Sequence, residues 1–495
     1  MEHLALALCL CLLYVGYELA RAATIALFAG GSAGWSGVFA ACGSFLLTFA
    51  TLELYGRSVE LLGSSLTLML SSSACSAVLV LSAVGLSALP EGGVTWWSLV
   101  ASLYAFRETY VTLIGTQIWT LLSGTLKGMG EKSSRRWICI IQGVSCITSA
   151  FAGLGVGRMA AAGGQVFLLL ATAVSLGGIT LVVALFCGTY NVSQSNSQWG
   201  QCYGSAETKG GKLTLKSQGK FWRVLRSSAS LFRRSPLLAA LLVEAVVCQV
   251  LTATVNLSFN EAVRDSSTST ASLQRVARAA GFVGRSSALV GLLSGVLQLV
   301  VMPWAMVRVD PAVLLGTVPL LAGVGFSVAI VSPGFPTATA AYTVTKTLDY
   351  SIRGTALELI YQPMPEYERL LGKEAIATVG VRMGRTAAHV VLYLISVGLG
   401  GAPPQRVLMG VALASAALWA LALRRVETLT NGRGSKSGAK PSPSANGKPN
   451  GDRWHAQHDG MRRRRGIVGE STRECVDVVV ANGSAPVTGN GRKQL

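Results

Sequence analysis

Ten charged residues stand inside stretches of sequence that are otherwise apolar. They are Glu18, Arg21, Arg107, Glu108, Glu244, Lys346, Asp349, Arg353, Arg382 and Arg385. A charge at the centre of a bilayer costs about 2.5–3.5 kcal/mol on insertion scales, so such residues are candidates for function if these stretches cross a membrane. The basic groups could bind oxyanions through charge-assisted hydrogen bonds, and the carboxylates could pair with them or carry a proton.

The spacing of these charges places several of them on common helix faces. Glu18 precedes Arg21 by three residues, and Asp349 precedes Arg353 by four. Charges at this spacing are neighbours on a helix and partly neutralise each other. Two interpretations follow from the spacing: the groups line a cavity that binds a solute, or they form buried ion pairs that hold helices together.

Composition identifies the medium in which these charges lie. The chain has 495 residues, of which 51% are hydrophobic and only 13% charged, whereas globular domains carry about 25% charged residues. The apolar residues form long blocks, which excludes a soluble enzyme, a disulfide scaffold and a disordered regulator.

The ten cysteines form no CxxC pair, so we predict neither a metal site nor a cofactor.

The apolar blocks predict an all-α membrane protein with twelve transmembrane helices. The predicted spans are 4–28, 34–55, 59–86, 94–122, 137–157, 165–187, 237–259, 285–306, 312–331, 336–361, 375–398 and 405–423. Each is long enough to cross the hydrocarbon core as a helix. The first span is too long for a signal peptide, so we expect no cleavable targeting segment within this sequence.

Basic residues in the connections predict the orientation. With the N-terminus on the cytosolic side, the inner connections hold 18 Lys and Arg residues and the outer ones hold 6. Basic connections stay on the cytosolic side, so both termini are predicted there.

Two basic segments lie outside the spans and set the domain boundaries. We predict a six-helix bundle over 1–187, a cytosolic linker over 188–236, a second six-helix bundle over 237–425 and a disordered basic tail over 426–495. Residues 188–235 hold 8 basic residues against 1 acidic, and residues 431–495 hold 12 against 5. Membrane topology and contact of the tail with anionic lipid explain this charge, so nucleic acid is not an expected partner.

The two six-helix halves predict the major facilitator arrangement, in which two bundles are related by an axis along the membrane normal. In that arrangement helices 1, 4, 7 and 10 line the central cavity. Eight of the ten charges fall on these four spans. Gly153 and Gly157, in GxxxG spacing, predict close packing of the fifth span against another helix.

Two segments near the end of the chain resemble the ATP/ADP translocases of plastids and of intracellular bacterial parasites. They are Asp349-Tyr-Ser-Ile-Arg-Gly-Thr-Ala-Leu-Glu-Leu-Ile-Tyr-Gln-Pro-Met364 and Gly372-Lys-Glu-Ala-Ile-Ala-Thr-Val-Gly-Val-Arg-Met-Gly-Arg385. The positions that match that family are Tyr350, Ser351, Glu358, Tyr361, Pro363, Gly372, Lys373, Ala375, Ile376, Val379, Gly380, Arg382 and Gly384. Arg385 stands in place of a lysine, and Arg353-Gly-Thr-Ala-Leu357 departs from the family pattern.

The resemblance implies an antiporter that exchanges ATP for ADP by alternating access, in a plastid envelope or another organelle membrane. The side chains expected to bind substrate are Arg21, Arg107, Lys346, Arg353, Glu358, Lys373, Arg382 and Arg385. Those expected to pair with them, or to couple transport to protons, are Glu18, Glu108, Glu244 and Asp349.

Two other functions remain open at the sequence level. A proton-coupled facilitator for a smaller solute would use one of the four carboxylates as its protonation site. A membrane scaffold without transport activity would explain the basic tail, although not the concentration of charge on helices 1, 4, 7 and 10.

Overall fold

The computed structural model describes residues 2–29, 43–44, 46–48, 50–51, 54–55, 58–59, 61–126, 131–186, 231–267, 272–361, 364, 372–373, 375–399 and 403–437. Within these ranges the regular structure is entirely helical. Most of the predicted second span, most of the linker and the tail beyond Ser437 lie outside the described residues. Residues 1–433 form one compact unit, which contains both predicted bundles.

The first bundle contains four long helices in the described part of the chain. They are α1 (Glu2–Ala29), α2 (Ser64–Ala88), α3 (Val94–Leu126) and α4 (Glu131–Phe186). Helix α4 includes two predicted spans, which meet at Gly164, the one residue in it with non-helical backbone angles. Its φ of 64° lies in the left-handed region, which glycine adopts without steric cost.

The second bundle contains shorter and more irregular helices. They are α5 (Pro236–Ser267), α6 (Ser272–Val296), α7 (Met302–Arg308), α8 (Pro311–Val331), α9 (Phe335–Leu348), α10 (Gly354–Tyr361), α11 (Gly384–Gly398) and α12 (Gln405–Ser437). Three π-helical segments continue these helices: Leu297–Val301 joins α6 to α7, Asp349–Arg353 joins α9 to α10, and Ile376–Met383 leads into α11.

Several helix ends differ from the predicted ones. The eighth span was predicted to begin at residue 285, but α6 begins at Ser272. Charged residues interrupt the apolar block before residue 285, yet these residues are part of helix α6. Helix α5 likewise extends beyond its predicted end, to Ser267, and includes the paired side chains of Glu261 and Arg264. The last helix continues to Ser437, so residues 426–437 are helical and not part of a disordered tail.

The outer surface of the bundles suits a membrane. Phe151 and Leu81 are each 70% exposed, and Val174 is 75% exposed, although all three lie in the middle of helices. Seven of the described helices are long and apolar enough to span a bilayer by length and composition alone. Helix α3, with Arg107 and Glu108 at its centre, is not among them, and the π-helical segments divide other spans into shorter pieces. The chain is an integral, multi-pass membrane protein.

The two bundles pack against each other along α4 and α6. A Cβ atom added at Gly153 would lie 2.6 Å from the carbonyl oxygen of Gly284, and one added at Gly157 would lie 3.4 Å from the Cα of Gly281. These distances bring the two backbones into direct contact, as small residues permit in membrane helices. The close packing predicted from Gly153 and Gly157 is confirmed, and its partner is the second bundle.

Candidate functional site

The carboxylate of Glu108 joins the two bundles near the centre of the molecule. Its Oε1 accepts a hydrogen bond from Nη2 of the adjacent Arg107 at 2.6 Å. Its Oε2 accepts one from Nη1 of Arg385, which belongs to the second bundle. Oε2 also lies 3.7 Å from Nη1 of Arg382. One carboxylate therefore faces three guanidinium groups from both sides of the interface.

The local structure before α11 positions the two arginines of the second bundle. Arg382 belongs to the π-helical segment Ile376–Met383, and Arg385 lies in the first turn of α11. Residues three apart project from similar faces of a helix, so both guanidinium groups reach α3. Arg382 also donates from Nη2 to the backbone oxygen of Glu108 at 2.6 Å, and Arg385 donates from Nε to Oε1 of Gln249 at 3.2 Å.

Helix α1 supplies a second group of charges to the same region. Nη2 of Arg21 lies 2.9 Å from Oε2 of Glu18, and both side chains are buried. The angle between them does not suit a hydrogen bond, so Nε and Nη2 of Arg21 have no hydrogen-bond partner among the described residues. Thr24, one turn further along, accepts a hydrogen bond from Arg107 at 2.5 Å. Buried polar groups without partners are uncommon, and they indicate places where water or a ligand binds.

A third group of charges is internal to the second bundle. Arg353 donates from Nε and Nη2 to the two oxygens of Glu244 at 2.8 and 3.3 Å, and from Nη1 to Asp349 at 3.0 Å. The indole nitrogen of Trp419 donates to Oε1 of Glu244 at 3.1 Å. All three nitrogens of Arg353 are therefore occupied by acidic groups of the same bundle.

Lys346 is buried in a different environment. Its side chain is 7% exposed, and its Nζ lies 5.6 Å from the centre of the Tyr350 ring. Within the described residues no carboxylate lies within salt-bridge distance of it, although Asp349 lies one turn away on the same helix. A cation over an aromatic face retains part of the stabilisation that burial removes.

Two predicted site residues lie apart from this region. Lys373 and Glu358 form an ion pair at 2.5 Å near the predicted cytosolic ends of their helices, with side chains 43% and 37% exposed. They do not line the central cavity described below.

A cavity of about 270 Å³ lies between the bundles. Helices from both bundles contribute to its wall, and its charged and aromatic lining residues are Tyr14, Tyr17, Glu18, Glu108, Tyr350, Arg382 and Arg385. The volume is close to the lower end of the range for sites that bind small molecules. The wall thus contains both hydrogen-bond donors and carboxylates, from both bundles.

The charges in and around the cavity do not balance. Together with Lys346, the three groups contain six basic side chains, Arg21, Arg107, Lys346, Arg353, Arg382 and Arg385, against four acidic ones, Glu18, Glu108, Glu244 and Asp349. The group around Arg353 has a net charge of minus one, because it holds two carboxylates, Glu244 and Asp349. The surplus around Glu108 and Lys346 is therefore three positive charges. A buried positive surplus favours the binding of an anion.

Several site residues are neutral and could not be found from the charge pattern. Thr24 and Gln249 accept hydrogen bonds from arginines, and Trp419 donates to Glu244. The structure describes no group of three or more His, Cys, Asp and Glu residues that could hold a metal ion.

Comparison with solved structures identifies the arrangement of the helices. The E. coli fucose:proton symporter FucP superposes with a TM-score of 0.54 over 85% of this chain and 97% of its own, at 14% identity. A bacterial homologue of the iron transporter ferroportin, in an outward-facing state, superposes with a TM-score of 0.53 over 86% of this chain and all of its own, also at 14% identity.

The chain has the major facilitator fold. The prediction of an all-α protein with twelve spans in two six-helix bundles is confirmed at the level of the fold. No protein-family model matches the sequence, and no curated protein sequence matches it. In this fold the interface between the bundles is where the solute site lies, and Glu108, Arg382 and Arg385 meet at that interface.

Proposed function

We propose that the protein is an alternating-access transporter for a solute that carries an oxyanion group, such as a phosphate or a carboxylate. The observation that carries this proposal is the cluster formed by Arg107, Glu108, Arg382 and Arg385 at the interface of the bundles, where three guanidinium groups share one carboxylate. Planar guanidinium groups suit phosphate and carboxylate oxygens.

Exchange of ATP for ADP is the specific form of this proposal. It is supported by the sequence resemblance and by the positive surplus around Lys346 and Glu108. Arg21, Lys346, Arg382 and Arg385 would meet the phosphate oxygens, and Arg107 would keep Glu108 paired. Glu358 and Lys373 would act nearer the predicted cytosolic end. The cavity of about 270 Å³ suits a smaller anion better, so an inward- or outward-open form would have to enlarge it for a nucleotide.

The test is transport by the purified full-length chain in liposomes. Liposomes are loaded with ADP, inorganic phosphate or succinate and challenged with the labelled form of each compound. Uptake that depends on an internal anion supports exchange, and the preferred pair identifies the substrate class. Absence of uptake of all three anions would contradict the proposal.

Proton-coupled transport of a small solute is the second candidate. It is favoured by the buried Glu18, whose Oε2 has no hydrogen-bond partner among the described residues, and by the likeness of the fold to a fucose:proton symporter. Repeating the uptake with and without a pH gradient separates the candidates. Accumulation that follows the pH gradient and needs no internal anion would support the proton-coupled function.

A further inference from the structure

We propose that Glu108 is an internal substitute for the anionic group of the substrate. Its Oε2 lies where a substrate oxygen would bind to Arg382 and Arg385, so substrate and Glu108 compete for the same donors. This inference rests on the proposed function of oxyanion transport and adds the identity of the binding groups.

The two oxygens of Glu108 have different partners. Oε1 is held by Arg107, its neighbour on the same helix, whereas Oε2 is held by Arg385 across the interface. Because each oxygen is bound to a different bundle, Oε2 can lose its hydrogen bond to Arg385 while Oε1 stays paired with Arg107. Loss of the contact with Arg385 therefore does not leave Glu108 as an isolated buried charge.

Arg382 indicates that the donor site is only partly filled. Its side chain is 4% exposed and lines the cavity, yet its Nε and Nη1 have no hydrogen-bond partner in the described part of the chain. Nη1 is 3.7 Å from Oε2 of Glu108, which is beyond hydrogen-bond distance. One oxygen that already accepts from Arg385 does not satisfy both arginines, whereas an oxyanion with two or three oxygens would.

Arg385 is held in place independently of Glu108. Its Nε donates to Gln249 on α5 within its own bundle, which leaves Nη1 as the group directed at the first bundle. The guanidinium group is therefore positioned by its own bundle before an anion binds. Pre-positioned donors reduce the ordering cost of binding.

If Glu108 and the substrate anion compete for the same arginines, removal of the negative charge of Glu108 should strengthen binding of the anion. The Glu108→Gln variant should bind the transported anion about tenfold more tightly than the wild type, since one charge-assisted hydrogen bond no longer has to be displaced. Arg382→Gln should weaken binding by about the same factor, because it removes the N–H donors of Arg382 that Glu108 does not satisfy.

The experiment measures the half-saturating concentration of inorganic phosphate, ADP and succinate for the full-length chain. It is obtained from thermal stabilisation in detergent and from uptake in liposomes. Glu261→Gln is the matched control, because Glu261 also pairs with an arginine, Arg264, but lies outside the cavity. This control should leave the half-saturating concentration of every probe unchanged.

The outcomes separate the inference from the proposed function. If the wild type binds and transports none of the three anions, the proposed function fails and the inference fails with it. If the wild type transports one of them but Glu108→Gln leaves its half-saturation unchanged or raises it, only the inference is overturned. Reduced folding of Arg382→Gln, with unchanged half-saturation in the folded fraction, would also overturn it.

A second variant tests the inference if Glu108→Gln inserts poorly into the membrane. The double variant Arg107→Gln with Glu108→Gln retains the net charge of the cluster and leaves both arginines of the second bundle intact. It should show the same decrease in half-saturating concentration, and an increase would overturn the inference.

Discussion

At the scale of single residues, the buried charges differ in how completely they are paired. Arg353 donates to two carboxylates through three nitrogens. In the described part of the chain Lys346 has the ring of Tyr350 near its ammonium group and no carboxylate within salt-bridge distance. A fully paired buried charge is expected to act in stability. A buried charge that lacks a carboxylate partner is available to a ligand.

We therefore expect Glu244→Gln to destabilise the protein. It would leave Arg353 with Asp349 alone, and breaking a buried ion pair costs about 3–5 kcal/mol. The thermal midpoint of the purified protein, measured by fluorescence-detected size exclusion, should fall clearly below that of the wild type. The double variant Glu244→Gln with Arg353→Gln should be less stable still, because it also removes the arginine that pairs with Asp349. Wild-type stability of Glu244→Gln would contradict a structural role for this pair.

Lys346→Gln should have the opposite profile. Among the described residues this change leaves no acidic partner unpaired within salt-bridge distance, so the amount of folded protein should stay near that of the wild type. The apparent Michaelis constant for the transported anion should rise by about tenfold or more, as expected for the loss of one charge-assisted contact. Uptake kinetics in liposomes measure it. An unchanged Michaelis constant would remove Lys346 from the binding site.

The residue types at the site could be predicted from the sequence, but most of their partners could not. A charge within an apolar block is visible wherever it occurs, which is how Glu108 and Arg385 were found. Their hydrogen bond joins positions 277 residues apart, and no local spacing indicates such a contact. Neutral partners such as Gln249 and Trp419 carry no charge to mark them.

At the scale of helices, the contact between α4 and α6 depends on glycine. Gly153→Ala should weaken this contact, because the added Cβ would lie 2.6 Å from the backbone oxygen of Gly284, and backbone atoms cannot move aside. Overpacking of this kind costs about 1–3 kcal/mol. The thermal midpoint of the purified protein should fall accordingly.

Gly155→Ala provides the control on the same helix. A Cβ at Gly155 would have Met159 as its nearest neighbour, with its Sδ at 3.9 Å, and alanine favours the helix over glycine by about 1 kcal/mol. Its thermal midpoint should equal or exceed that of the wild type. Equal loss of stability in both variants would show that the contact of Gly153 with Gly284 does not decide the result.

The existence of helices could be predicted better than their ends. Apolar length predicted the cores of α1, α8 and α12 correctly, since each is an apolar run long enough to span a bilayer. The ends of α5 and α6 were missed because paired charges such as Glu261 and Arg264 extend a helix beyond its apolar block. The π-helical segment that positions Arg382 follows from tertiary packing, and no sequence pattern predicts it.

At the scale of the whole molecule, the orientation remains a prediction. Tags placed at Met1 and Leu495 should react with a membrane-impermeant reagent on the same side of the membrane, since the predicted number of spans is even and the basic connections lie on one side. Labelling of the two tags on opposite sides would contradict the twelve-span topology.

Truncation after Ser437 tests the role of the basic tail. The sequence beyond this residue has no apolar pattern that could form a core, so transport per inserted molecule should stay within about twofold of the wild type. Uptake is normalised to the amount of protein that enters the liposomes. A folded but inactive truncation would assign the tail a part in transport.

The contact of Gly153 with Gly284 has a further consequence for biogenesis. The first bundle leaves the ribosome with a backbone-lined groove on α4, and the helix that fills it is synthesised roughly 130 residues later. Assembly of the two halves is thus a recognition event between surfaces already formed, as is usual for domains that fold in order of synthesis. Two separate polypeptides, residues 1–187 and 231–495, should consequently associate in one membrane without a covalent link between them.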